Sequence, residues 1–310
     1  MHLLTVLLQN SKVGWVADVT YNDNMQWVLN LCLAYIMFGI SLDLKWSNFK
    51  AVIAFPKGFL VGVLSQYVWL PLVAIALVMI GNIDEYIALG IILVAVCPGG
   101  NMSNFFTALA NGNLALSIAL SMFSSLMAFA LTPYIFAGIV NLLSIQTNIQ
   151  FEISPFEMMK TIAFIMLLPC VLGLFAGKYF RDEKGLVKNI IRITSVIILL
   201  GFIAIALIAN IDAFIERISS VIWWVLIFNS LGLIGGYTLA RIFKQNRQNR
   251  ISISIETGIQ NTGLGLALIF TFFNHNDELK QNMAMVAATW GIWHLISGFA
   301  VSQLLKVKDV

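Results

Sequence analysis

Nine separate stretches of this 310-residue chain are apolar over about the length that one α-helix needs to cross a bilayer, at roughly 26–42, 58–81, 86–110, 113–141, 156–179, 190–209, 219–241, 251–273 and 281–305. A hydrocarbon layer takes about 20 residues of helix, and lipid offers no partner to a free peptide group, so runs of this kind leave helices as the economical solution. Hydrophobic residues make up 59% of the sequence and charged residues 11%. An ordinary soluble domain carries about 25% charged residues, so this supply cannot cover a water-exposed surface. The expectation is an all-α integral membrane protein of nine transmembrane helices, with one transmembrane domain over 26–305 and a cytoplasmic tail over 306–310. Met1 to Leu8 is too short to span and has no basic flank, so residues 1–25 read as an extracellular or interfacial N-terminal segment.

The loops between nine spans alternate between two faces, and every basic residue falls on one of them. Lys12, Lys160, Arg217 and Lys280 lie on one face. The other holds Lys45, Lys50, Lys57, Lys178, Arg181, Lys184, Lys188, Arg192, Arg241, Lys244, Arg247, Arg250, Lys306 and Lys308, which completes the count of 18. Basic residues collect on the cytoplasmic side, so the N-terminus is expected outside and the C-terminus inside a plasma (inner) membrane. The net charge of +3 is concentrated on that face, where it suits a lipid bilayer surface and gives no reason to expect a nucleic-acid partner. Cys32, Cys97 and Cys170 fall in three different apolar runs without metal or dithiol spacing, and read as packing residues.

Of the 15 acidic residues, only Glu256 stands well inside an apolar run. A carboxylate there costs about 2.5–3.5 kcal/mol on insertion scales, so it should meet a cavity, a cation or a proton. Its surroundings repeat elsewhere in the chain. Helix centres of the first half recur in the second at an offset of roughly 160 residues, and an odd number of crossings separates the partners. That pattern describes an inverted repeat of four and five helices. The repeat pairs Cys97-Pro98-Gly99-Gly100-Asn101-Met102-Ser103-Asn104 with Glu256-Thr257-Gly258-Ile259-Gln260-Asn261-Thr262-Gly263. Proline and paired glycines in the first, and glycines around polar side chains in the second, predict two helices broken in mid-membrane. Broken helices free carbonyls for cations and point N-termini at anions, which marks a transporter's binding region.

The stretch from Cys97 to Ser121 (CPGGNMSNFFTALANGNLALSIALS) and that from Glu256 to Leu264 (ETGIQNTGL) resemble the paired signatures of the bile acid:sodium symporter family. Phe55 to Pro71 and Trp293 to Gly298 extend the similarity, and the helix pattern fits from about residue 26 onward. The resemblance implies two discontinuous helices that cross, and a core domain (approximately 58–141 and 219–305) that moves against a panel domain (approximately 26–42 and 156–209). It implies Na⁺ at two sites. One would use Ser103, Asn104, Ser117, Ser121 and Glu256; the other Gln66, Glu256, Gln260 and the backbone oxygens of Thr257 and Ile259. Asn101, Asn261 and His294 match substrate-contacting positions, although His294 taken alone is more often a structural histidine. Ser121 stands where many members carry threonine, which keeps the hydroxyl. Many bacterial members have ten helices, whereas the nine-helix form is similar to the animal bile acid carriers.

The function this implies is secondary active transport: sodium-coupled symport, with two Na⁺ ions, of an organic anion such as a bile acid or a small carboxylate, by alternating access. A proton-coupled or uncoupled organic anion carrier is the alternative within transport. A membrane enzyme would need a nucleophile or metal cluster beside Glu256 and His294, and none is evident. A receptor would have no use for two broken helices.

Overall fold

A computed structural model describes residues 23–42, 54–143 except 101, 145, 154–177, parts of 186–201, 211–273 and 277–307. Residues 1–22, most of the expected sixth span at 190–209, Asn101 and the last residues of the tail lie outside the described residues. The described residues are helical, with no strand among them. They form α1 (Asp23–Ser41), α2 (Pro56–Gly81), α3 (Glu85–Val96), α4 (Met102–Leu109), α5 (Leu114–Leu142), α6 (Pro155–Ala176), α7 (Ile211–Ile242), α8 (Arg247–Gly258), α9 (Thr262–Phe272) and α10 (Asp277–Leu304).

Among the described residues, five helical stretches are long and apolar enough to cross a membrane alone: Pro56–Gly81, Leu114–Leu142, Pro155–Ala176, Ile218–Ile242 and Glu278–Leu304. The shorter apolar helices are Asn30–Gly39, Glu85–Val96 and Thr262–Phe272. The stretches 86–110 and 251–273, each read as one span, are each two helices: α3 with α4, and α8 with α9. Several helices also begin earlier than hydropathy placed them, α7 at Ile211 rather than 219 and α10 at Asp277 rather than 281. Hydropathy marks where the hydrocarbon ends, whereas backbone hydrogen bonding continues into the interface, where charged side chains are at home.

Polarity runs inside out relative to a water-soluble protein. Ile80, Leu304 and Phe164 are 85%, 80% and 72% exposed, while Ser103, Thr107, Ser117 and Asn229 are wholly buried. Lipid covers the first set, and the second has only protein or ligand as partner. Helix starts carry short polar caps: Asp84 accepts from Tyr86 N at 3.0 Å, Asn113 from Leu116 N at 3.1 Å, Asn246 from Asn249 N at 2.8 Å, and Asn261 from Leu264 N at 3.1 Å.

Two helices widen in the middle. α2 contains a π-turn over Ser65–Trp69 and α6 one over Ala163–Leu167, each just ahead of a Leu-Pro pair, Leu70-Pro71 and Leu168-Pro169. Proline lacks the N–H of a regular turn and crowds the carbonyl four residues earlier. Widening the turn removes that clash, and Leu70 N and Leu168 N bond instead to Ser65 O and Ala163 O, five residues back. The turn in α2 carries Gln66 inward.

α7 lies along α8 and α10, α10 also packs on α3 and α9, and α5 touches α3, α4 and α8. α1 packs mainly on α6, where Gly173 lets the backbones close in: a Cβ there would lie 2.7 Å from Ser41 Cβ. Tyr35 bonds Thr194 at 2.7 Å, joining α1 to the helical residues near 194. This layer meets the rest through α6 on α5 and through α1 on α9, where Leu33 and Ile36 pack with Ile165 and Ala267.

Close approach also sets α7 against the π-turn. A Cβ on Gly235 would overlap the indole of Trp69, whose Nε1 donates to Leu231 O at 3.2 Å. Nothing lies within 4 Å of a Cβ on Gly138. Gly235→Ala should therefore destabilise by about 1–3 kcal/mol through overpacking. Gly138→Ala should be neutral or gain up to about 1 kcal/mol of helix propensity. Unfolding temperatures in detergent that move together for the two variants would contradict this packing.

Candidate functional site

The two interruptions meet. α3 ends at Val96 and α8 at Gly258, and the residues that follow run antiparallel, with Gly99 paired to Gln260. Gly100 N donates to Ile259 O at 2.9 Å, and Asn261 N donates to Pro98 O at 2.8 Å. Gly99 N donates to Ser124 Oγ at 3.2 Å. Each break thus supplies the partners that the other has lost, which a bilayer cannot do. Two carbonyl-rich helix ends (α3, α8) and two N–H-rich ends (α4, α9) converge there, so cation- and anion-attracting dipoles share one place.

Glu256, in the last turn of α8, is 2% exposed and faces α4 and α5. Ser103 donates to its Oε2 at 2.5 Å, Ser117 to the same oxygen at 3.2 Å, and Ser121 to Oε1 at 2.8 Å. Asn104 joins through its Oδ1, 3.5 Å from Ser121 Oγ. The helical stripe Ser117, Ser121 and Ser124 aims three hydroxyls of α5 at the crossing. Lys160 pairs with Glu157 at 2.7 Å on the surface, and no Lys or Arg among the described residues pairs with Glu256. The result is a pocket of oxygen atoms: one carboxylate, three hydroxyls and an amide oxygen.

A second group lies on the α2 side of the break. Gln66 Nε2 donates to Gln260 Oε1 at 2.8 Å and to Cys97 O at 3.1 Å. Gln260 Nε2 donates to Thr257 O at 2.7 Å. Gln66 Oε1 is buried and has no partner, a donor-starved oxygen on the side chain that reaches Gln260. The hydrogen bonds of the Glu256 carboxylate all go to the serines of the first group.

The expected substrate contacts fall differently. Asn261 borders the crossing and caps α9. His294, 6% exposed, places Nδ1 2.9 Å from Trp290 O of its own helix. It shares a face of α10 with Gly291 and Gly298, whose Cβ positions would touch Thr262 and Phe106 next to the break. Asn101 lies outside the described residues. Sequence reasoning passed over Ser124, Ser65, which bonds Thr257 Oγ1 at 2.7 Å, and Asn229, which bonds Gly258 O at 2.8 Å. The signal for Asn229 was available, since it is an amide inside the apolar run 219–241.

Gly99 is required by contact: a Cβ there would fall on Glu256 Oε1. Gly99→Ala should therefore displace the carboxylate from Ser121. An unfolding temperature lowered by the equivalent of about 1–3 kcal/mol is expected, and an unchanged one would show that Glu256 sits elsewhere.

Comparison with known proteins gives the family. The profile of the sodium bile acid symporter family matches residues 30–217, well over half of the chain. A sodium-dependent transporter of Bacillus subtilis is 31% identical over 280 residues, covering 90% of this chain and 83% of the relative. The hepatic sodium/bile acid cotransporter of Homo sapiens is 27% identical over 245 residues, 76% of this chain and 68% of that protein. A protein named probable sodium/metabolite cotransporter, chloroplastic, from Arabidopsis thaliana is 28% identical over 303 residues, 97% of this chain and 70% of that protein. This chain belongs to the sodium bile acid symporter family, a family of sodium-dependent transporters and not of enzymes.

Proposed function

We propose that this protein imports an organic anion together with two Na⁺ ions by alternating access. The observation that carries the reading is Glu256, a buried carboxylate with no basic partner among the described residues, held by hydroxyl groups where two interrupted helices cross. Sodium is a hard ion that favours oxygen ligands, and both groups at the crossing offer them. The first ion would take Ser103, Asn104, Ser117, Ser121 and Glu256. The second would take Gln66, Gln260, the carbonyls of Thr257 and Ile259, and a share of the Glu256 charge; the unpartnered Oε1 of Gln66 supports this placement. Asn101, Asn261 and His294 are proposed to meet the anion, near the N-terminal end of α9.

α2 to α5 with α7 to α10 would form the moving core, and α1, α6 and the helical residues near 194 the panel. In the nine-helix, inverted-repeat arrangement the N-terminus is outside the plasma membrane and the C-terminus in the cytoplasm. The ions supply the work. A tenfold sodium gradient gives about 1.4 kcal/mol per ion, and one net charge moving through 100 mV adds about 2.3 kcal/mol. Two ions with one monoanion thus yield roughly 5 kcal/mol, enough for an anion ratio on the order of a thousand or more. The relatives named for bile acids and for metabolites make a bile acid or a small carboxylate the substrate class to test.

Uptake by proteoliposomes, with bile acids and small carboxylates tried in turn under sodium or potassium gradients, tests the reading. One anion should accumulate only with sodium, and Glu256→Gln should abolish that stimulation while leaving the protein folded. Sodium-stimulated uptake that survives Glu256→Gln would remove the assignment, and uptake driven by a proton gradient in potassium would replace sodium with H⁺. Gln66→Ala should lower the sodium Hill coefficient from about two toward one. An unchanged coefficient would rule out the second site.

A further inference from the structure

Three successive carbonyls at the end of α8 each have a donor of their own. Thr257 O takes Gln260 Nε2 at 2.7 Å, Ile259 O takes Gly100 N at 2.9 Å, and Gly258 O takes Asn229 Nδ2 at 2.8 Å. The first two donors belong to the crossing. The third comes from α7, outside every residue set assigned to ion or substrate above. Asn229 is wholly buried and its Oδ1 has no partner. An amide with an unsatisfied oxygen is a costly way to fill space in an apolar helix, where leucine would pack as well, so the reason for it must lie in the bond that it does make.

That bond controls how the end of α8 is aimed. Ile259 has extended backbone (φ −110°, ψ 99°), so the carbonyls on either side of it point to opposite sides of the chain. Peptide groups are rigid planes, and holding Gly258 O against α7 fixes the plane that also carries Ile259 N. Gly258 O is thereby kept away from the crossing, and Ile259 O is turned toward it. α7 is cut down to let this happen: a Cβ on Gly236 would lie 2.8 Å from Thr257 Oγ1 and 3.0 Å from Ile253 O. The same stretch of α7 makes a second bond to α8, Ser254 Oγ to Leu233 O at 2.7 Å, one turn earlier and clear of the break.

We propose that Asn229 is a positioning residue for the second sodium ion: by clamping Gly258 O to α7 it aims the carbonyls of Thr257 and Ile259 at the ion beside Gln66. This rests on the two-ion reading above. It also makes α7 part of the coupling, because any movement of α7 relative to α8 would be felt first by the backbone ligands of the second site and not by Glu256 and its serines.

Asn229→Asp, which keeps the shape but sets an acceptor against Gly258 O, and Asn229→Leu, which removes the donor, should both act on sodium. The half-saturating sodium concentration for uptake should rise at least about tenfold, as expected from loss of one buried hydrogen bond, and the Hill coefficient should fall toward one. Substrate KM at saturating sodium should stay near that of the parent. Ser254→Ala, which loosens the same two helices without touching the break, should lower the unfolding temperature and leave the sodium curve unchanged. The Asp variant conserves volume and decides the matter alone if the Leu variant does not assemble. An unchanged sodium curve for Asn229→Asp, or an equal shift in Ser254→Ala, overturns the proposal. Gln66→Ala keeps this separate from the two-ion reading: if that variant loses one ion while Asn229→Asp keeps both, the second site stands and Asn229 has no part in it.

Discussion

The antiparallel backbone pairing between Pro98–Gly100 and Ile259–Asn261 is the interaction on which the rest of the structure depends. A helix interrupted in a bilayer exposes donors and acceptors that lipid cannot satisfy, at a cost of several kcal/mol for each group. Two interruptions that face each other solve the problem jointly, and neither could persist alone. Glycine is needed because the pairing brings backbone onto Glu256 and onto Gln260 O, where a Cβ at Gly99 or Gly100 would collide or crowd.

Many of the buried polar side chains are arranged around that pairing. The serine stripe of α5 reaches Glu256 and Gly99 from one side, the π-turn of α2 brings Ser65 and Gln66 to Thr257 and Gln260 from another, and Asn229 of α7 takes the remaining carbonyl. Burying so many polar groups is tolerable because most are paired. The exceptions among the described residues are Thr289 Oγ1, the indole nitrogens of Trp290 and Trp293, and two amide oxygens, Gln66 Oε1 and Asn229 Oδ1, whose amide nitrogens bond at the crossing and at the α8 terminus. An interior of oxygen ligands with one uncompensated carboxylate suits a cation that must bind and leave in every cycle. A salt bridge to arginine would satisfy Glu256 permanently and remove the need for an ion.

Local chemistry made much of this legible in the sequence. Pro98, Gly99, Gly100, Gly258 and Gly263 marked the breaks, and the placement of Glu256 in an apolar run marked the charge that needed a partner. The serines at 117 and 121 came from family resemblance, and their spacing of four is consistent with one helical face. Gln66 was reached only through family resemblance, because nothing in a lone glutamine of an apolar run says that a π-turn will carry it to a residue 194 positions away. Asn229 was visible as an amide in an apolar run, but its partner is a backbone carbonyl, which leaves no mark on the sequence.

Hydropathy and charge therefore determined, from the sequence alone, that the chain is a bundle of membrane helices with two interrupted ones, since solvation depends on residue type and needs no knowledge of neighbours. Which groups meet at the interruptions was decided only by the tertiary structure. Hydrogen bonds depend on ångström-scale approach between segments distant in the chain, and those distances follow from how the helices pack.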